Sequence, residues 1–505
     1  MSTGSITRVR LKSLFIGEID GESEAIKRHD FKDLFYNYGD RYKELLDGDK
    51  FLIQGRKGTG KTYLAKYIEW KIKNEKKQWC KLCDSSQVNF QAICELNGRD
   101  FFRGEQELFW KWVIFVQFAF ELMERYPKKS RIPFTKLNKI RKFLKKKYPT
   151  RGELFSKVSY SQYIEGVLSA KKNIFSANTK ASETSTYQKV DYLTQCDFLE
   201  KTLMPILAKK CSITLIYDDL DNLESGVHLD PLYVDLLSAL LKCAHKMNLE
   251  FAKLNQEKSS KLIVVLRNDI ISYMQDHNSN LNKYTSDCVD LCWTEKTYNQ
   301  KQWEHPLMNL ILSKIKRTTQ QYSSLNNEEL FKLLFPMEIS GKETIYHLLD
   351  NSFGRPRDII KFLNIVQNNN PNIYKFTVKS FNQAGKQYSN WFYDELRNEI
   401  AIHSNADLLR EGLNLIKNIK KRHFLYSDAK SEFVNNKSNY PNITNLDEAL
   451  SQMYKFGVIG NSWDVERNGQ RKRNYSWAYR QNSSTQPNFG ETFIVHSALR
   501  NKFSI

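Results

Sequence analysis

Residues 55–62 read Gly55-Arg-Lys-Gly-Thr-Gly60-Lys61-Thr62, and their types and spacing suit the grip on a polyphosphate. Glycines let a backbone curl with its amides inward, a lysine reaches the β and γ phosphates, and a hydroxyl ligates magnesium. On that reading Gly55, Arg56, Lys57, Gly58, Thr59, Gly60, Lys61 and Thr62 bind a nucleotide cofactor, and Thr62 also serves the metal. Such a loop needs a carboxylate at the end of a neighbouring strand to hold the magnesium shell. The run Ile213-Thr-Leu-Ile-Tyr217-Asp218-Asp219 supplies it, with Asp218 as metal-shell ligand and Asp219 as the catalytic carboxylate that orients and polarises water. Asp221 is a weaker candidate for either task, and any of these acids could instead cap the following helix.

Two further clusters join the set. Lys261-Leu-Ile-Val-Val-Leu-Arg267-Asn268-Asp269 is an apolar run ending in polar residues, on the sheet edge where ligands of open α/β sheets sit. Arg267 or Asn268 is therefore expected to sense the γ-phosphate, and Arg267 completes the catalytic set with Asp219 and Lys61; its alternative is to pair with Asp269 or Asp218. Phe353-Gly354-Arg355-Pro356-Arg357-Asp358 opens a helix with proline in its first turn. It offers Arg355 and Arg357 to the nucleotide if a lid folds back, one arginine of the pair being structural.

The elements that must position these groups alternate between strand-like and helix-like patterns from Phe51 to about Trp293, as in a parallel α/β sheet. Strands are expected at Lys50–Gln54, Gln78–Cys83, Ser212–Asp218, Lys261–Arg267 and Asp287–Trp293. An insertion at about 95–195 is too long for a crossover and must carry its own structure. In it, Gly104 to Arg125 reads as a helix, Lys128 to Lys147 is strongly basic and Ser169 to Lys189 is polar. Beyond Trp293 the pattern is helical at Glu304–Arg317, Asn327–Leu334, Glu343–Asn351 and Pro356–Val366, then Ala406–Lys421 and Leu446–Phe456. Strands at Tyr475–Arg480 and Thr492–His496 follow, and Asn468-Gly469 marks the turn of a hairpin.

Composition bounds the answer. With 505 residues the chain holds about three domains of ordinary size. Hydrophobic residues at 41% against 27% charged exclude a disordered protein, and the excess of 77 basic over 57 acidic residues, +20, points to an anionic partner. Eight cysteines are too sparse for a disulfide framework, and Cys80-Lys-Leu-Cys83 with Cys94 lacks a fourth zinc ligand, so buried thiols are expected. The most apolar stretch, Trp112 to Phe120, falls short of the ~20 residues of a membrane span, and Met1-Ser-Thr-Gly opens no signal peptide, so the expected location is cytoplasmic.

Gly55–Thr62, Tyr217-Asp-Asp-Leu-Asp221, Leu266-Arg-Asn-Asp269 and Gly354-Arg-Pro-Arg-Asp358 together resemble the motif series of AAA+ and STAND ATPases. More narrowly they resemble bacterial P-loop ATPases found beside antiviral defence genes, which end in a segment similar to Phe493-Ile-Val-His496. The resemblance implies an α/β protein: a P-loop NTPase parallel sheet with a helical insertion (1–300, insertion about 95–195), a helical lid (301–400) and a C-terminal winged-helix domain (401–505). It implies ATP and Mg2+ as cofactors, and Pro356 as the adenine-side contact. Aspartate at position 219, where AAA+ enzymes commonly carry glutamate, implies slow hydrolysis. The expected function is an ATP-driven switch that assembles as a homo-oligomer and controls an effector encoded nearby, with no membrane partner. The alternative is an ATP-regulated protein similar to AAA+ initiators or transposition regulators, whose winged helix reads duplex DNA with basic wing residues Arg467, Arg471, Lys472, Arg473 and Arg480. The wing and the basic run Lys128–Lys147, which otherwise reads as a solvated face, are expected to contact nucleic acid weakly and without base specificity.

Overall fold

The computed structural model describes residues 7–75, 78–83, 105–125, 134–147, 194–207, 211–220, 231–254, 260–277, 281–294, 300–401, 403, 405–467, 469–480 and 486–505. Two compact units result. The sheet unit comprises Gly39–Lys57 and Lys61–Leu291, and the helical unit comprises Met1–Tyr38, Gly58–Gly60 and Cys292–Ile505.

Five parallel strands form the sheet unit: β1 (Leu52–Gly55), β2 (Trp79–Cys83), β3 (Ile213–Tyr217), β4 (Lys261–Arg267) and β5 (Cys288–Asp290). Their order is β2-β3-β4-β1-β5. The strand of the two aspartates therefore does not adjoin the glycine loop's strand, as the sequence led one to expect, because β4 lies between them. β5 is shorter than the expected Asp287–Trp293, since the chain leaves the sheet after Asp290. Val, Ile and Leu fill β3 and β4 because both faces are covered. Alternation sends Ile213, Leu215, Tyr217, Leu262, Val264 and Leu266 to one shared core, and the buried Ile216, Ile263 and Val265 to the opposite face. The helix Lys61–Asn74 packs against β1, β2 and β4.

Part of the long insertion builds this core. Its helix Glu105–Arg125 packs along Pro231–Leu254, which in turn covers β4. Trp110 is fully buried and its indole N–H donates to the Leu236 carbonyl at 2.8 Å. The part of the basic run from Phe134 to Lys147 forms a helix, and residues 128–133 lie outside the described residues. Ser169 to Lys189, Cys94 and Asp221 lie outside the described residues. Cys80 and Cys83 are buried thiols on β2, and a spacing of three turns them to opposite faces of the strand.

One hydrophobic core serves the whole helical unit. It joins Pro306–Thr318, Asn327–Leu334, Thr344–Asp350 and Pro356–Asn369 to Ala406–Ile419 and Leu446–Lys455. The 23-residue helix Val378–Ile400, which no sequence signal separated, explains the continuity, since it packs on both sets. Leu11, Leu14 and Ile16 enter the same core, and Gln367 Nε2 donates to the Leu14 carbonyl at 2.8 Å. Residues 7–38 thus pack with the C-terminal half, although they precede β1 in the chain. The final sheet is antiparallel, in the order Gln470–Ser476, Ile459–Arg467, Thr492–Val495, His423–Phe424. Arg467 pairs with Gln470 across a two-residue connection, in which Asn468 lies outside the described residues and Gly469 has φ +70°. The second hairpin strand begins at Gln470 and not at Tyr475. Among the described residues no helix is long and apolar enough to cross a membrane.

Trp110→Ala should cost about 3–5 kcal/mol of unfolding free energy, the range for truncating a buried aromatic. Urea denaturation checks this, and a loss below about 1 kcal/mol would show that the insertion helix is peripheral to the core.

Candidate functional site

The glycine-rich loop starts where β1 ends and closes where the helix Lys61–Asn74 begins. Its path needs glycine at two points: Gly58 has φ +85° and Gly60 φ +96°, left-handed values that residues with a Cβ rarely adopt. A Cβ on Gly58 would also stand 2.9 Å from Cβ of Arg357. Lys61 Nζ reaches back across the loop and donates to the carbonyls of Gly55 at 3.1 Å and Arg56 at 3.2 Å. Thr62 follows in the first turn of the helix, and Arg56 and Lys57 are partly exposed.

Gly58, Thr59 and Gly60 belong with the helical unit. The Thr59 carbonyl accepts from the Trp293 indole N–H at 3.0 Å, and Trp293 stacks on Tyr38 with ring centroids 5.3 Å apart. Gly58 offers its carbonyl to the amide of Arg357 at 3.3 Å. Neither anchor had a signal in the sequence, where Trp293 reads only as a strand end.

Across the sheet unit the strand register staggers the polar ends, that of β3 coming two to three residues before that of β4. Gly55 is level with Arg267 on β4, and Tyr217 on β3 is level with Val264. Asp218 is buried, its amide donating to the Cys83 carbonyl at 3.0 Å, and its Oδ1 accepts from the amide of Asp219 at 2.8 Å. Asp219 has φ +59°, a left-handed turn that aspartate tolerates better than most residues. The carboxylate of Asp218 thus braces the bend that turns Asp219 out of the strand line. With β4 between them, β3 and β1 are two strand spacings apart, about 10 Å.

Arg267 forms the ion pair with Asp269 that its position in the sequence allowed. Its guanidinium forms a two-pronged pair with Asp269, Nε to Oδ1 at 3.0 Å and the outer nitrogen to Oδ2 at 2.5 Å. At the same strand end, Asn268 holds a buried Oδ1 with no hydrogen-bond partner among the described residues, so the polar reserve sits on Asn268.

The arginine pair separates. Arg355, expected at the nucleotide, is buried at 1% exposure, its Nε bonded to Asp358 at 2.8 Å and its Nη1 to Glu399. Those two carboxylates stabilise its charge against burial. Arg355 is therefore the structural member of the pair. Arg357 is partly exposed and pairs with Glu395 at 2.7 Å. Pro356 occupies the first turn of the helix and is buried. Gly354, at φ +67°, faces Thr294, whose Cγ2 would lie 2.1 Å from an added Cβ.

His496 closes this region from the C-terminal strand. Its Nδ1 accepts from the Ala498 amide at 3.2 Å, which leaves the proton on Nε2 to donate to the Ser352 carbonyl at 3.2 Å. Full burial holds the imidazole neutral, with its pKa pushed down to about 3.

Over residues 305–397 the chain is similar to the FunZ-associated C-terminal helical domain, whose family model it matches there. That stretch carries Arg355, Asp358 and Arg357 and most of Val378–Ile400. No curated protein matches the chain.

Arg355→Ala would leave Asp358 and Glu399 buried without their counter-charge and should cost about 3–5 kcal/mol of stability. Urea unfolding reads this directly, and a shift under about 1 kcal/mol would return Arg355 to a surface role. Because the folded imidazole of His496 has its pKa depressed to about 3 against about 6.5 unfolded, its stabilising contribution is complete above about pH 6.5 and declines as pH falls toward 3. Between pH 7 and pH 5 this amounts to about 2 kcal/mol. His496→Gln should flatten the pH dependence of the urea midpoint over that window, and an unchanged dependence would mean that His496 titrates normally.

Proposed function

We propose that this chain is a P-loop ATPase that binds ATP with Mg2+ and hydrolyses it slowly, acting as a switch on a partner effector in bacterial antiviral defence. The observation that carries the reading is the glycine loop between β1 and Lys61–Asn74, with φ +85° at Gly58 and +96° at Gly60. The loop leaves β1 of a parallel sheet in which β3 runs into Asp218 and Asp219 and β4 into Asn268. Loop amides and the helix N-terminus suit a phosphate chain. Lys61 would exchange its bonds to the Gly55 and Arg56 carbonyls for β and γ phosphate oxygens. Thr62 and Asp218 would hold magnesium, which supplies charge neutralisation on the phosphates. Asp219 would orient the attacking water, and the orphaned Oδ1 of Asn268 could accept a hydrogen bond from that water. Arg357 would be the arginine of its pair nearest the loop, through its bond to Gly58.

The defence setting and the effector rest on the resemblance of the motif series, as does homo-oligomer assembly. For the alternative, a winged helix reading DNA, the hairpin gives little support: Asp464 pairs with both Arg471 at 3.0 Å and Arg473 at 2.8 Å.

Isothermal calorimetry with ATP and magnesium should show binding to the wild type and none to Lys61→Ala. Asp219→Asn should bind normally and turn over at least about 10²-fold more slowly. Equal affinity in wild type and Lys61→Ala would overturn the nucleotide site.

A further inference from the structure

The chain has two basic segments, and the structure treats their charges in opposite ways. In the hairpin Ile459–Arg467 and Gln470–Ser476, register sets Arg473 opposite Asp464 and Arg471 opposite Glu466. Cross-strand partners share a face of a sheet, so two arginines there meet two carboxylates and that face is electrically balanced.

The helix Phe134–Lys147 is the reverse. Its sequence, FTKLNKIRKFLKKK, contains seven basic residues and no acidic one. Leu137, Ile140 and Leu144 are buried, and Phe143 stacks on Phe198 with ring centroids 4.9 Å apart. With its apolar stripe covered, the helix turns Thr135, Lys136, Asn138, Lys139, Arg141 and Lys142 outward, at partial or full exposure. Every one of these can donate a hydrogen bond, and none is a carboxylate, an aliphatic or an aromatic residue. Lys136, Lys139 and Lys142 follow the three-residue spacing that makes side chains neighbours on a helix surface. From Lys136 to Lys142 the row spans about 9 Å at 1.5 Å per residue.

We infer that this helix is a docking surface for the phosphate backbone of duplex nucleic acid. A membrane would require an apolar face to insert, and here that face is spent on the core. A folded acidic protein ordinarily engages through buried aromatic or aliphatic anchors, which the outward residues lack. Single strands need exposed rings on which to stack bases, also lacking among these residues. What fits an acid-free cationic row is a polyanion read by charge alone, and a duplex carries one charge every ~1.7 Å of axis. This inference stands independently of the nucleotide site.

The test is the salt dependence of binding to a short mixed-sequence DNA duplex, followed by fluorescence anisotropy. The triple substitution Lys136→Ala, Lys139→Ala and Lys142→Ala should make the log–log salt slope shallower by about 2–3 units, at roughly 0.9 for each phosphate that is no longer neutralised. Alanine favours helix, so the variant should keep its thermal unfolding midpoint and its response to ATP. Arg471→Ala with Arg473→Ala should leave the slope unchanged, and a second duplex of unrelated sequence should compete equally. A slope that flattens in the hairpin variant and stays steep in the helix variant would overturn the assignment. So would binding of poly-glutamate or phosphatidylserine vesicles as tight as that of the duplex, which would point to an acidic protein or a membrane. Failure of the full-length wild type to bind the duplex at low salt would overturn it outright.

Discussion

β4 is the element on which the candidate site depends. Enclosed by β1 on one edge and β3 on the other, and buried on both faces, it has no room for a polar side chain between its first and last residues. An unpaired polar group there would cost several kcal/mol, so polarity collects at the strand's carboxyl end. Because β4 pairs with both neighbours in fixed register, it also sets how Gly55 at the end of β1 stands relative to the end of β3. One inserted residue in β4 would move Asp218 relative to Gly55 and turn the apolar strand inside out.

In the helical unit the comparable constraint is the buried charge of Arg355. The guanidinium is held by Asp358 from its own helix and by Glu399 from Val378–Ile400, while Asp358 also accepts from the Phe353 amide at 2.9 Å. The turn before the helix, the helix itself and its long neighbour are thereby locked to one another. Glycine at 354 fits the left-handed bend and the tight approach of Thr294, and His496 seals the same turn through Ser352. Of the two arginines, Arg355 is the one that holds the fold, and Arg357 is the one whose amide bonds to Gly58.

Charge balance shows the same dependence on pairing. The hairpin and the insertion helix are both rich in Lys and Arg. Antiparallel register brings acids to the arginines in the first, whereas the second draws on a stretch of chain that has no acid to supply.

Local chemistry in the sequence determined a good deal by itself. Glycines at 58 and 60 mark left-handed backbone wherever the loop sits, since the steric demand lies within the residue. Continuous apolar runs marked β3 and β4, and proline at 356 marked a helix start, because periodicity and backbone restriction act over a few residues. Tertiary structure alone decided strand order, the union of residues 7–38 with the C-terminal half, and the distant partners of buried charges such as Glu399 for Arg355. Arg267 had Asp269 and Asp218 as candidates, and Arg355 drew one of its partners from 44 residues away. Spacing tells which face a side chain shares with its near neighbours, but which distant carboxylate reaches it depends on how helices and strands pack, and that free energy is spread over the whole core.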